Sequence, residues 1–377
     1  MQMNMLLYTE SPDPSGMGEQ MLTLAEELRV YYRFLFACPP TSAGTSLLAR
    51  AERLGLQTLR LDCIDGLAHW LWEQHIDLMH NHAGIGWEGH AGIYVAREAG
   101  LPVIRTEHLP YLITDPGQQA DHTRMLAAVD VLVCVSEGAR RTFEHVGIDP
   151  ALLRVVRNGA RDMAVPPERA GVRHELGLPV GCPLVLTVGR FTPQKNYPAL
   201  LDAVPAVLTV HPEARFVWVG QGPLWDRLHS TVQTRGLARY VHPVGQRSDV
   251  PRLMAAADLF VLPSQFEGLP LVVLEAMASG LPVVGTRVCG IEEAVVDGVT
   301  GRLVSCDDIQ ALAEAIHDGL ADAEQRRQWG CQARAAFDSH WRADHMARDM
   351  QVVYEEVLNP TRHTYPKIRH SSQRATL

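Results

Sequence analysis

Lysine is almost missing from this chain: of 34 basic residues in 377, only Lys195 and Lys367 are lysine, and the rest are arginine. A basic surplus is missing too. The net charge of −9 argues against a nucleic-acid binder, which would carry a cationic face. The seven cysteines are odd in number and widely spaced, with no C-x-x-C pair, which excludes a disulfide framework or a zinc knuckle. No apolar run reaches the roughly 20 residues that span a bilayer. The opening MQMNMLLYTESPDP has no basic leader region and reads as a buried strand. A soluble, cytoplasmic protein is expected. No G-x-S-x-G elbow is present, and both Gly16-x-Gly18 and Gly220-x-Gly222 lack the third glycine of a dinucleotide fingerprint. Hydrolase and nicotinamide chemistry therefore have no signature here.

What is present is ordinary globular composition, 46% hydrophobic and 20% charged. The length equals about 2.5 typical domains of roughly 150 residues. Short apolar runs recur near 3–8, 33–37, 56–61, 76–80, 102–106, 131–135 and 153–157, with helical patterns such as 17–29 between them. A second series follows at 183–189, 215–220, 241–245, 259–263 and 281–286. Strands that are apolar throughout and alternate with helices specify parallel sheets covered on both faces. We therefore expect an α/β fold of two doubly wound, Rossmann-like domains facing each other across a cleft. Residues 1–165 would form the first domain and 166–341 the second, joined through the proline-rich stretch 164–183. A helix at 342–358 would pack back on the first domain. The basic tail 359–377, which has no acidic residue, would be disordered.

Ligands of open parallel sheets bind at the carboxyl ends of strands. Arg190 and Lys195 follow the strand ending at Gly189. Together they suit a phosphate or diphosphate, the arginine as a planar fork and the lysine as a compact charge. Solvated loop cations would look the same. The run VLPSQFEGLPLVVLEAMASGLPVV (261–284) is more specific. A strand ends at Pro263, a polar loop holds Glu267 and Gly268, and a helix is expected from Pro270. The amides of Gly268, Leu269 and Leu271 are then free to face an oxygen-rich ligand. Glu275 interrupts the apolar segment LVVLEAMA, so it needs a partner, either sugar hydroxyls or an internal arginine.

Arg190 and Lys195, followed by Glu267-x7-Glu275 inside P-S-x-x-E-G-L-P-L-V-x-L-E-A-M-A-S-G-L-P-V-V, resemble the retaining nucleotide-sugar glycosyltransferases of the GT-B fold, family 4. The likeness spans about residues 3–355. It takes in Gly16-Met17-Gly18-Glu19, Asp77-x-x-His80-x-His82, Thr106-Glu107-His108, Asn158-Gly159, Gly220-Gln221-Gly222-Pro223 and Gly290-Ile291-Glu292-Glu293. The resemblance implies that Arg190 and Lys195 hold the donor diphosphate and that Glu275 binds the ribose hydroxyls. Glu267, with the amides of Gly268 and Leu269, would hold the transferred sugar, and His108 would bond to it from across the cleft. Gly16 and Gly18 would allow close approach of the diphosphate or acceptor.

The activity so implied is transfer from a nucleotide sugar to a glycan, lipid-linked or small-molecule acceptor, in polysaccharide, cell-surface glycan or glycoconjugate biosynthesis. Loose peripheral association with a membrane is compatible with it. None of the 21 aspartates forms a D-x-D, so no metal or other cofactor is expected, and Arg190 and Lys195 would take the metal's place. The chain departs from the family pattern at Arg161, where an acid is common, at Cys289, usually glycine, and at Glu292, often proline.

Other readings compete with this one. A same-fold nucleotide-sugar epimerase or glycoside phosphorylase would keep the donor residues, as would a non-catalytic nucleotide-sugar-binding protein. His80 and His82 share one strand face and would suit zinc, but they lack a third ligand and are expected to be structural. Trp70, Trp72, Trp87, Tyr94 and Tyr111 are candidates for either an acceptor cleft or the core.

Overall fold

The computed structural model describes residues 2–162 and 168–359, and every structural statement below concerns those residues. Residues 163–167, which take in the start of the expected linker, and residues 360–377 of the tail lie outside them.

Two separate parallel sheets form. The first contains β1 (Met3–Tyr8), β2 (Tyr32–Cys38), β3 (Gln57–Arg60), β4 (Leu78–Ala83), β5 (Val103–Glu107), β6 (Val131–Cys134) and β7 (Leu153–Val155). Their order is β3-β2-β1-β4-β5-β6-β7. The second contains β8 (Leu184–Val188), β9 (Arg215–Val219), β10 (Val241–Gly245), β11 (Leu259–Leu262), β12 (Val283–Thr286) and β13 (Gly301–Val304), ordered β10-β9-β8-β11-β12-β13. Most inner strands are apolar on both faces, as in Leu259-Phe260-Val261-Leu262, because helices cover each side. β4 and β5 depart from the expected apolar pattern and bury His80, Asn81, His82, Arg105, Thr106 and Glu107. Each sheet therefore has two cores. This is the two-domain α/β architecture expected from the alternation of apolar runs and helical patterns.

β13 was not expected. It is a four-residue edge strand with Arg302 inside it, too short to show a period. The helix expected at 17–29 begins earlier, at Ser15, and ends at Leu28.

The last helix, Ala343–Leu358, lies against helix Ser15–Leu28, and its Met346, Met350 and Tyr354 complete a core with Leu24 and Phe34 of the first sheet's body. Arg154 and Glu356 pair at 2.5 Å beside it. The chain passes between the bodies at two adjacent points. Ala160 N–H donates to Trp341 O, and Ala343 N–H donates to Ala160 O, both at 2.9 Å. No helix among the described residues is long and apolar enough to cross a membrane.

Candidate active site

The site is built where loops leave the carboxyl ends of the two sheets. After β8 the chain carries Arg190 and then a short turn, Pro193–Lys195. Asn196, in the left-handed region at φ 52°, hands the chain to helix Tyr197–Val210. Gly220, at φ 141°, lies so close that a Cβ there would fall 2.0 Å from the Gly189 carbonyl oxygen. Only glycine lets the loop after β9 support the Arg190 loop. Lys195 Nζ donates to Glu267 Oε1 at 2.5 Å, with side chains only 13% and 5% exposed. Gln194 Nε2 donates to Phe266 O at 3.0 Å and to Glu267 Oε2 at 3.3 Å, lacing the loops after β8 and β11 together.

Gly268 is pressed against the first domain: a Cβ there would meet the His108 carbonyl oxygen at 2.1 Å. Leu269 O accepts from Asn158 Nδ2 at 2.8 Å. The helix begins at Leu271, one residue later than expected, with Pro270 as its cap. Glu275, on that helix, is half-buried, and its carboxylate has no hydrogen bond or ion pair among the described residues. Of the two partners expected for it, the internal arginine is not there. Burial, helped by the neighbouring charge of Glu19, pushes the Glu275 carboxyl up to about 7. Glu19 is itself held by Arg50, whose Nη2 donates to it at 2.6 Å.

The first domain supplies the opposite wall. Asp13, in the loop after β1, accepts from Arg190 Nη1 at 3.0 Å. Gly16 and Gly18 lie in the first turn of helix Ser15–Leu28, not in a loop before it. Gly16 faces open space, while Gly18 makes room for Leu47, whose Cδ2 lies 2.7 Å from where a Cβ would be.

His108 directly follows β5. Its Nε2 sits 3.1 Å from His82 Nδ1, and burial lowers its pKa to about 4, so the ring is neutral near pH 7. His80 is wedged between Tyr354 Oη at 2.8 Å and Thr106 Oγ1 at 2.7 Å, and burial lowers it to about 3. Beneath His108, burial would raise the Glu107 carboxyl, but Arg105 Nε at 2.7 Å and the nearby His122 hold it down at about 2. Among the described residues no three His, Cys, Asp or Glu side chains converge as metal ligands.

Of the expected site residues, Lys195, Glu267, Gly268, Leu269 and His108 meet at the domain junction. Arg190 stands beside Asp13, and Glu275 faces Glu19. Asp13, Glu19 and Asn158 join them without having been singled out as site residues. Of the five aromatics, Trp70 and Tyr111 pack on the first domain's core, while Trp72, Trp87 and Tyr94 are exposed. The surface cavities lined by Arg287 with Asp308 and by Arg157 with Trp341 share none of these residues.

The model of Glycosyltransferase Family 4 matches residues 14–162, and that of Glycosyl transferases group 1 matches residues 169–336. The chain belongs to this glycosyltransferase family. Alpha-maltose-1-phosphate synthase of Mycolicibacterium smegmatis is 33% identical over 252 residues, covering 61% of this chain and 64% of the relative. The GDP-mannose-dependent monoacylated alpha-(1-6)-phosphatidylinositol monomannoside mannosyltransferase of Corynebacterium glutamicum is 29% identical over 247 residues, covering 60% of this chain and 62% of the relative. The matched stretch thus spans less than two thirds of either relative's length.

Among solved structures, Anabaena HepE in complex with UDP and glucose superposes with a TM-score of 0.81 at 21% identity, over 94% of this chain and all of that one. The sucrose-phosphate synthase of Thermosynechococcus elongatus gives 0.79 at 21% identity, over 94% of this chain and 99% of that one. These likenesses establish the fold, which is the GT-B architecture expected above.

Proposed function

We propose that this family member is a retaining glycosyltransferase moving a sugar from a nucleotide-sugar donor to an acceptor hydroxyl without a metal ion. The observation that carries the reading is the Lys195–Glu267 pair, seated on the domain junction where Gly268 abuts His108. A cation, a carboxylate and free amides are held within one loop cluster, and a neutral histidine faces them from the other domain.

The donor diphosphate takes Asp13's place on Arg190 and shares Lys195 with Glu267. Glu275, half-buried with its carboxylate unpaired, accepts hydrogen bonds from the ribose hydroxyls. Glu267 and the amides of Gly268 and Leu269 hold the transferred sugar, and His108 bonds to it from the opposite wall. Gly16 leaves the first turn of helix Ser15–Leu28 open beside Asp13, and Gly18 fixes that helix on Leu47. In the transfer, the bond from the anomeric carbon to the leaving phosphate oxygen breaks. The acceptor oxygen bonds on the same face, and its proton goes to the departing phosphate oxygen. The charge gathering on the diphosphate meets two cations already oriented for it.

A cytoplasmic location agrees with the seven free thiols. A lipid-linked acceptor, reached by loose association with a membrane surface, agrees with the phosphatidylinositol monomannoside in one relative's name. The test is a panel of UDP-, GDP- and ADP-sugars, scored first by thermal shift, since a ligand of the native state raises its stability. The stabilising donor is then scored for acceptor-dependent nucleotide release. Release without acceptor would favour an epimerase, dependence on phosphate a phosphorylase, and binding without release a non-catalytic binder.

A further inference from the structure

Glu293 lies outside the cluster just described, yet it makes the most connected contact between the domains. It sits on the short helix Cys289–Ala294 of the second domain. Its Oε2 accepts from the backbone N–H of Glu137 at 2.8 Å and of Gly138 at 3.3 Å, the first residues of helix Glu137–His145 in the first domain. Its Oε1 accepts from Arg157 Nε at 2.6 Å, also in the first domain. Ser136 caps the same helix through the Ala139 N–H at 3.0 Å. The first turn therefore has donors satisfied by one group of its own domain and one from across the junction. A carboxylate is the favoured charge at that end of a helix.

The same short helix touches the donor loop on its other side. A Cβ on Gly290 would fall 1.9 Å from Gly268 O and 2.4 Å from Leu269 Cα. A Cβ on Gly138 would fall 2.9 Å from Cys289 Cβ. Helix Cys289–Ala294 is thus clamped between helix Glu137–His145 and the Gly268–Leu269 backbone. Neither face has room for one more carbon.

We infer that Glu293 is a positioning residue, which docks helix Cys289–Ala294 on the first domain and thereby sets Gly268 and Leu269 against His108. This rests on the functional reading above, in which those amides hold the transferred sugar. Arg190, Lys195 and Glu275 stand on other elements, so nucleoside diphosphate binding does not depend on Glu293, whereas the placement of the sugar does. The cysteine at 289, where the family usually has glycine, is accommodated by the bare backbone of Gly138.

The experiment compares turnover with nucleotide affinity in the full chain, using UDP, GDP and ADP as the probes. Glu293→Ala should lower kcat about 10- to 100-fold, the scale of a small misplacement. The affinity for the nucleoside diphosphate that wild type binds should stay within about twofold. Glu293→Gln keeps an amide oxygen for the Glu137 and Gly138 N–H groups but gives up the Arg157 contact, and should recover part of the turnover. Gly138→Ala should show the same split, because its new carbon presses on Cys289. Adding Cys289→Gly removes the nearest of the crowded atoms and should recover part of the turnover without touching the nucleotide site.

Normal turnover in Glu293→Ala would overturn the proposal, whatever Gly138→Ala does. So would an equal loss of kcat and nucleotide affinity that neither Glu293→Gln nor Cys289→Gly relieves. A wild-type protein that binds no nucleoside diphosphate would overturn the functional reading itself, and with it this proposal. Normal wild-type binding and turnover beside an indifferent Glu293→Ala would overturn the coupling alone.

Discussion

Lys195 Nζ lies 2.5 Å from Glu267 Oε1, with both side chains nearly out of solvent. The pair joins the loops after β8 and β11 and presents a cation beside the place proposed for the leaving diphosphate. Removing one partner of such a pair leaves the other buried and unpaired, at a cost of about 3–5 kcal/mol. Lys195→Ala should therefore lower both kcat, by roughly 10²–10³, and the melting temperature. Lys195→Met combined with Glu267→Gln should recover much of the stability and none of the turnover. Near-normal turnover in Lys195→Ala would remove this residue from the mechanism.

Arg190 is held by Asp13 of the opposite domain at 3.0 Å, with side chains 41% and 46% exposed. An exposed pair of this kind contributes about 0–1 kcal/mol, and salt screens it. A donor diphosphate competes with Asp13 for the guanidinium. Asp13→Asn should therefore tighten nucleoside diphosphate binding by about two- to fivefold at low salt, with the gain shrinking at high salt. Calorimetric titration at two ionic strengths checks this, and weaker binding would count against the arrangement.

Glu275 gives a pH signature. Its carboxyl sits at about 7 in the folded chain, above the ordinary 4.5, because burial and Glu19 disfavour its charge. The folded state then binds the proton more tightly than the unfolded one, so this group's contribution to stability falls as pH rises from 4.5 to about 7. Glu275→Gln should raise the ligand-free melting temperature at pH 8 and flatten its dependence over that window. The same variant should bind nucleotide more weakly at pH 8, where the wild-type carboxylate accepts from the ribose. Thermal melts with and without nucleotide test both halves. A variant that melts like wild type across the window would refute the assignment.

Transfer should persist in excess chelator if, as proposed, Arg190 and Lys195 take the place of a metal on the diphosphate. Abolition by chelator, with recovery on adding Mg²⁺ or Mn²⁺, would contradict this.

The alternation of apolar runs with helical patterns made both sheets legible, because strands covered on two faces are mostly apolar. β4 and β5 nevertheless bury a polar cluster from His80 to Glu107 that a purely apolar pattern does not describe. The helix from Ser15 began earlier than its period suggested, since Gly16 contributes no apolar signal. β13 escaped because four residues around Arg302 show no period. Within the candidate site, Arg190, Lys195 and Glu267 stood out because they lie in loops that follow strand ends, and Glu275 because it interrupts an apolar helical segment. Asp13 and Arg190 are 177 positions apart, and Glu293 and Gly138 are 155 apart. A single sequence carries no mark of such pairs, because only the folded junction brings them together. Glu275 shows the limit from the other side: its need for a partner was visible, but that no arginine meets it was not.

The most direct test of the central claim follows nucleoside diphosphate release from the stabilising sugar nucleotide, with and without an acceptor, in wild type and Lys195→Ala. The account predicts release that requires both donor and acceptor, yields a glycoside of the donor's own anomeric configuration by NMR, and collapses in the variant. Release that ignores the acceptor, an inverted product, or equal rates in the two proteins would contradict it.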